Sequence, residues 1–159
     1  MDQALAYSLG ICALSLALEG IFAGSDIKQR MAQLRVPPYS PPLWGWVVIA
    51  AFYYIICFIL LYRLFGLSSA PARDGALSLL LAMMLANALW NYFFFRKRDL
   101  FVSYVMGYPY GLAALALFIV LLRVDRIAAW WLLPYVLYLA YANTWGYGLW
   151  KLNRGPQRN

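Results

Sequence analysis

The chain has 159 residues, 65% of them hydrophobic and 12% charged, with 13 Lys and Arg against 6 Asp and Glu and a formal net charge of +7. Soluble domains hold about half apolar and a quarter charged positions, so a lipid bilayer is the natural solvent for this chain. The basic residues sit in short clusters between apolar runs instead of along one face, which argues against a nucleic-acid partner, and the absence of histidine argues against His-ligated haem, zinc or di-iron centres.

Five apolar runs, 4–24, 44–65, 76–95, 100–122 and 127–150, hold 21, 22, 20, 23 and 24 residues. Each can cross a hydrocarbon core that needs about 20 helical residues. They predict an all-α bundle of five transmembrane helices that makes 1–159 a single membrane domain.

The first run follows Met1, Asp2 and Gln3 without a basic flank and outlasts a signal-peptide core, so it reads as a retained helix. On it Ser8, Cys12, Ser15 and Glu19 recur at helical spacing and share one face, expected to look inward. A carboxylate inside a span costs a few kcal/mol unless it meets a partner or a cavity. Glu19 therefore either faces the bundle interior or is hydrated near the interface. Cys12 and Cys57 lie in different runs without CxxC spacing and read as structural thiols.

The first connection, 25–43, carries Pro37, Pro38, Pro41 and Pro42, which forbid a continuous helix. It is expected to fold over one end of the bundle as an extended lid, the alternative being a disordered linker. The connections after the second span are short and favour antiparallel neighbours in sequence order. Trp44, Trp46, Trp130, Trp131 and Trp150 mark span boundaries, leaving Trp90 and Trp145 away from them.

In the third run Asn87, Trp90 and Asn91 share a face. Amides in hydrocarbon need partners on other helices or on a ligand, and both readings stand. The same run presents Ser78, Ala82 and Ala86 at four-residue spacing, and the fourth presents Gly107 and Gly111 around Pro109. Both patterns permit close backbone approach, and Pro109 is a candidate kink. In the fifth, Tyr135, Tyr138, Ala142, Trp145 and Leu149 form a stripe that packing or binding would each explain. Glu19, Tyr54, Asn87, Trp90 and Trp145 all fall within about 15 Å of the lid end of their spans. They are expected to converge on one aromatic cavity suited to a flat, amphipathic ligand such as a tetrapyrrole or a sterol.

Lys and Arg divide nine to four between the two ends. Lys28, Arg30, Arg35, Arg96, Lys97, Arg98, Lys151, Arg154 and Arg158 lie on one side, and Arg63, Arg73, Arg123 and Arg126 on the other. The positive-inside rule then makes the C-terminus cytosolic and the N-terminus external.

Pro38-Tyr39-Ser40-Pro41-Pro42-Leu43-Trp44-Gly45-Trp46 followed by Tyr54, then Asn87-Ala88-Leu89-Trp90-Asn91-Tyr92-Phe93-Phe94, Pro134-Tyr135-Val136-Leu137-Tyr138 and Trp150-Lys151-Leu152-Asn153 occur in this order. In order and spacing they resemble the motifs of the TspO/MBR family (translocator protein, tryptophan-rich sensory protein, peripheral-type benzodiazepine receptor), over nearly the whole chain. The resemblance implies a membrane binding or sensory protein, a receptor for porphyrins, sterols or similar lipids, with Glu19, Trp44, Tyr54, Asn87, Trp90, Tyr138, Ala142 and Trp145 as ligand-binding residues. It also implies a homodimer through the third helix. No cofactor is obligatory on this reading, and a porphyrin or other tetrapyrrole would be a ligand.

The sequence departs from the family at Ala50 and Tyr138, where tryptophans associated with porphyrin breakdown are usual, and at Trp145-Gly146, where Leu-Asn is usual. A porphyrin-degrading enzyme is thereby disfavoured, and no catalytic residue is assigned. The leading alternative is a structural accessory subunit docked to a larger membrane assembly such as a pigment-protein complex. A transporter ranks lower, since five spans offer no inverted repeat. The sterol-contact pattern around Tyr147 also fails, for want of Leu or Val at 141–146.

Overall fold

A computed structural model of the chain describes residues 2–154; Arg158, counted above, lies outside them. The described residues are helical and contain no strand. The helices are α1 (Gln3–Ala23), α2 (Ile27–Ala32), α3 (Leu43–Gly66), α4 (Pro71–Asn91), α5 (Leu100–Val105), α6 (Gly107–Val124) and α7 (Arg126–Asn153), with a π-helical turn, Tyr92–Arg96, closing α4. Side chains start several of them. Asp2 accepts from the Ala4 amide, Asp99 from Val102, and Asp125 from Ile127 and Ala128, while Pro71 opens α4 where a missing N–H costs nothing.

Among the described residues four helical stretches are long and apolar enough to cross a membrane: Gln3–Ala23, Leu43–Gly66, Pro71–Arg96 and Leu100–Val124. The fifth expected span is the 28-residue α7, about 42 Å long at the helical rise. Its tyrosines, tryptophans, Asn143 and Thr144 make it less apolar than the other four. The fold is thus the expected all-α membrane bundle.

The long helices form a closed ring in which α1 touches α3 and α4, α3 touches α7, α7 touches α6, and α6 returns to α4. Sequence neighbours are ring neighbours for α4–α6 and α6–α7. The α3–α4 pair makes the weaker contact, because α1 and α7 flank α3 in the ring. The fourth expected span is split in two at Met106. Pro109 cannot donate to the carbonyl of Val105, which is where α5 stops. The Gly107–Gly111 pair serves packing inside the bundle. A Cβ on Gly107 would collide with the Asn143 side chain of α7, whose Nδ2 donates to the Gly107 carbonyl over 3.4 Å.

The two ends of the bundle are built differently. At the end bearing the α3–α4 and α6–α7 turns, Leu60, Leu61, Leu64, Ala76, Leu117, Leu121, Ala128 and Ala129 have no exposed surface. Lipid is as apolar as leucine, so this packing stabilises through van der Waals contact more than through the hydrophobic effect. Arg63 clamps the turn by a two-pronged pair with Asp125, at 2.7 and 3.0 Å. Burial opposes the Asp125 charge, but the bonds from Arg63 and from the α7 amides outweigh it and hold the carboxyl below its ordinary range.

Candidate functional site

The opposite end is aromatic and hydrogen-bonded, and the proline-rich segment closes it. Pro37 is buried, and a Cβ on Gly148 would meet Tyr39 Oη and press on the Pro37 ring, so glycine lets α7 lie this close to the loop without either giving way. Side chains fasten the segment along α7. Tyr39 Oη donates to the Thr144 carbonyl (3.3 Å), Tyr141 Oη to the Tyr39 carbonyl (2.9 Å) and Trp145 Nε1 to Ser40 Oγ (3.0 Å). Further along, Asn153 accepts from the Arg35 amide (3.0 Å) and donates to the Arg35 carbonyl (2.9 Å). The loop is the lid that the sequence predicts.

Beneath it lies a compact aromatic layer. Trp145, 4% exposed, packs on Trp46 with ring centres 4.6 Å apart and stands 6.1 Å from Phe94. Phe94 in turn stacks on Trp90 at 4.7 Å, and Trp90 Nε1 donates to the Ser103 carbonyl of α5. The π-helical turn that carries Phe94 widens the end of α4. Met31 and Leu34 of the first connection pack against the same layer.

A polar cluster joins α1, α3 and α4. Glu19 Oε1 accepts from Tyr54 Oη and from Asn87 Nδ2, both at 2.7 Å, and Ser15 Oγ stands 3.4 Å from the Tyr54 oxygen. Ser8 and Ser15 are buried and Cys12 is half-buried, so that face of α1 does look inward. The Asn91 amide bonds within its own helix, to the Asn87 carbonyl.

Tyrosine rings connect this cluster to the lid. Tyr54 packs on Tyr53 (5.2 Å), Tyr53 on Tyr135 (5.1 Å), Tyr135 on Tyr138 (5.7 Å), Tyr138 on Tyr141 (6.0 Å) and Tyr141 on Tyr39 (6.3 Å). Tyr110 adds a hydroxyl contact to Tyr135 at 2.9 Å. On the outer side of this ladder, between α3 and α7, a cleft of about 240 Å³ is walled by Val48, Ile49, Phe52, Pro134, Tyr135 and Tyr138. Val48 and Phe52 are exposed there, toward what would be lipid.

The eight residues named from sequence therefore fall into separate places. Glu19, Tyr54 and Asn87 meet in the polar cluster; Trp90 and Trp145 share the aromatic layer; Tyr138 lines the cleft, one helical turn from half-buried Ala142. Trp44 is 71% exposed and joins none of them. Trp46, assigned above to the boundary belt, takes the inner position instead. Two residues along a helix is a rotation of about 200°, so Trp44 and Trp46 cannot both face inward. Ser40, Phe94 and Tyr141 are further residues of the site that the sequence reading missed. A hydroxyl inside the Pro-Tyr-Ser-Pro-Pro segment was the available signal for Ser40.

The ring of apolar helices, the interior carboxylate and the fastened loop define a polytopic integral membrane protein with one closed, aromatic end. The chain matches the TspO/MBR family over residues 8–151, and it belongs to that family. None of the curated proteins compared with it matches the chain.

Proposed function

We propose that the protein binds a flat, largely apolar ligand of the tetrapyrrole or sterol class at its aromatic end, beneath the first loop. The observation that carries this reading is Trp145. Its indole is at once the ring against which Trp46 packs and the donor that holds Ser40 of the lid. A ligand sliding over Trp145 exchanges a ring contact for a ring contact and releases the loop as it enters. Glu19, Tyr54 and Asn87 supply the polar groups that orient such a ligand, and the cleft beside Tyr138 supplies a route from the bilayer. No resident metal or cofactor is part of the reading.

An aromatic pair contributes on the order of 1 kcal/mol beyond the area it buries. Trp145→Ala is therefore expected to weaken porphyrin binding several-fold or more in a titration followed by tryptophan quenching, with Asn87→Ala alongside. Saturable binding indifferent to both substitutions would place the ligand elsewhere. Ala50 is exposed and Tyr138 carries a phenol where the family carries indoles, so an illuminated sample should show little porphyrin breakdown.

A second reading, an accessory subunit of a larger membrane assembly, is favoured by how closely the rings beneath the loop pack on one another, Trp46 on Trp145 and Phe94 on Trp90. The cleft of about 240 Å³ lies below the roughly 300–1,000 Å³ of ordinary ligand pockets. Absence of any porphyrin or sterol binding, together with gentle purification inside a larger complex, would promote it over the first.

A further inference from the structure

The lid end carries a second feature that the proposed ligand site does not use. A cleft of about 370 Å³ opens between the π-helical turn, α5 and the end of α7, with Lys97, Arg98, Asp99, Phe101, Trp150 and Asn153 on its walls. With two cations and one carboxylate on its walls it carries a net positive charge. The ion pairs among the described residues, Arg63–Asp125 and Arg73–Asp74, both lie at the other end of the bundle. Asp99 is occupied with its own helix, its Oδ1 accepting from the Val102 amide. Both ends of the Asn153 amide are taken by Arg35.

Arg30 of α2, though not one of its walls, reaches the backbone beside it. Its guanidinium donates to the Arg98 carbonyl over 3.4 Å, while its buried Nε has no hydrogen-bond partner among the described residues. Burial and the neighbouring Arg98 charge both pull the Arg30 guanidinium below its ordinary value. Arg98 itself is held at φ 57°, the left-handed conformation that ends the helix, with the Asp99 amide donating back to the Phe93 carbonyl, so its position beside the cleft is fixed by the backbone. Lys97 and Arg98 on the walls, neither in an ion pair among the described residues, with a third cation beside them, are the arrangement an anion would relieve.

The rim identifies the anion. Phe101 lies 5.5 Å from Trp150, Tyr104 stacks on Trp150 at 5.9 Å, and Tyr147 lies 5.6 Å from Tyr104. Arg154 sits over Trp150 at 5.4 Å and Lys151 over Tyr147 at 5.8 Å. Aromatic rings backed by cations on an exposed helix face are the signature of headgroup depth, and basic recesses between membrane helices hold anionic headgroups. A soluble phosphate would have no use for that apolar rim; an acyl chain would run along it.

We propose that this cleft is a binding site for the phosphate headgroup of an anionic phospholipid, held by Arg30, Lys97 and Arg98, with its acyl chains along Phe101, Tyr104 and Trp150. The full chain in detergent, titrated in parallel with phosphatidylglycerol and phosphatidylcholine and read by native mass spectrometry, tests this. Phosphatidylglycerol should be retained at least several-fold over phosphatidylcholine. Each of Arg30→Gln and Arg98→Gln should reduce that preference about five-fold, the value of one basic residue near an anionic surface, while Arg123→Gln at the opposite end leaves it unchanged. Lys97→Gln, at the exposed rim, keeps the test open if either arginine variant does not fold. Equal retention of the two lipids, or a preference that survives the Arg30 and Arg98 substitutions, would overturn the proposal. So would complete displacement by millimolar inorganic phosphate, which would make the ligand a free anion.

Discussion

Cutting the fastenings of the first loop one at a time tests whether it is a latch. Ser40→Ala removes the acceptor for the Trp145 indole, and one neutral hydrogen bond is worth a net 0.5–1.5 kcal/mol, or about five-fold in the open population. Asn153→Leu removes both bonds to the Arg35 backbone, about 2 kcal/mol and roughly 30-fold. Neither residue packs in the leucine end, so the bundle should remain intact. Amide hydrogen exchange is the assay, because the Arg35 N–H is one of the groups set free and the prolines of the segment contribute no signal. Exchange at Arg35 and Val36 should rise about 30-fold in Asn153→Leu, with a smaller, about five-fold rise around Tyr39 and Ser40 in Ser40→Ala, and α6 should be unchanged in both. Protection across 35–40 that is indifferent to both substitutions would refute the latch. The seating of Pro37 against Gly148 would then be what holds the loop.

The outer face of α4 presents exposed Ser78 and Ala82 and half-buried Ala86, and a second copy of the chain packed there would bury them. Ala82→Leu is expected to dissociate a detergent-stable dimer in light scattering, and an unchanged mass would remove this face as the interface. In variants lacking Cys12 and Cys57, a cysteine at Gln3 should react with an impermeant maleimide from outside the cell and one at Gln33 should not. The reverse pattern would overturn the orientation inferred from the basic residues.

The bundle was legible because its signals are local. Five apolar runs and a proline cluster state the helices and the lid without reference to one another. The ring order was not, since nothing in a short α3–α4 connection says that α1 and α7 will flank α3. Within the site, Ser8, Ser15 and Glu19 could be placed because one helix's periodicity orients all of them together. The residues expected to meet in a single cavity, from depth and face, lie in separate clusters in the described structure. Depth along a span fixes one coordinate and face a second, but the distance between helices is set by side chains that fill the gap. Phe94 and Trp46 fill it here, and both were invisible as site residues. The break at Met106 shows a similar limit, because Pro109 announces an interruption but its effect falls on Val105, the partner it cannot bond.

The asymmetry between the two ends connects the packing to function. Leucines with no exposed surface and the Arg63–Asp125 clamp leave the turn end no space and no alternative set of partners. At the lid end the aromatic layer packs with Met31 and Leu34 of the loop, and a handful of hydrogen bonds, among them those to Ser40, Tyr39 and Arg35, fasten it further, each of which can be traded for a bond to water or to a ligand at small net cost. Tightly packed interiors resist partial rearrangement, whereas elements with few apolar contacts open locally at low free energy. Any ligand larger than the cleft beside Tyr138 must therefore be admitted by movement of the loop and of the rings beneath it, with the leucine end acting as the fixed base.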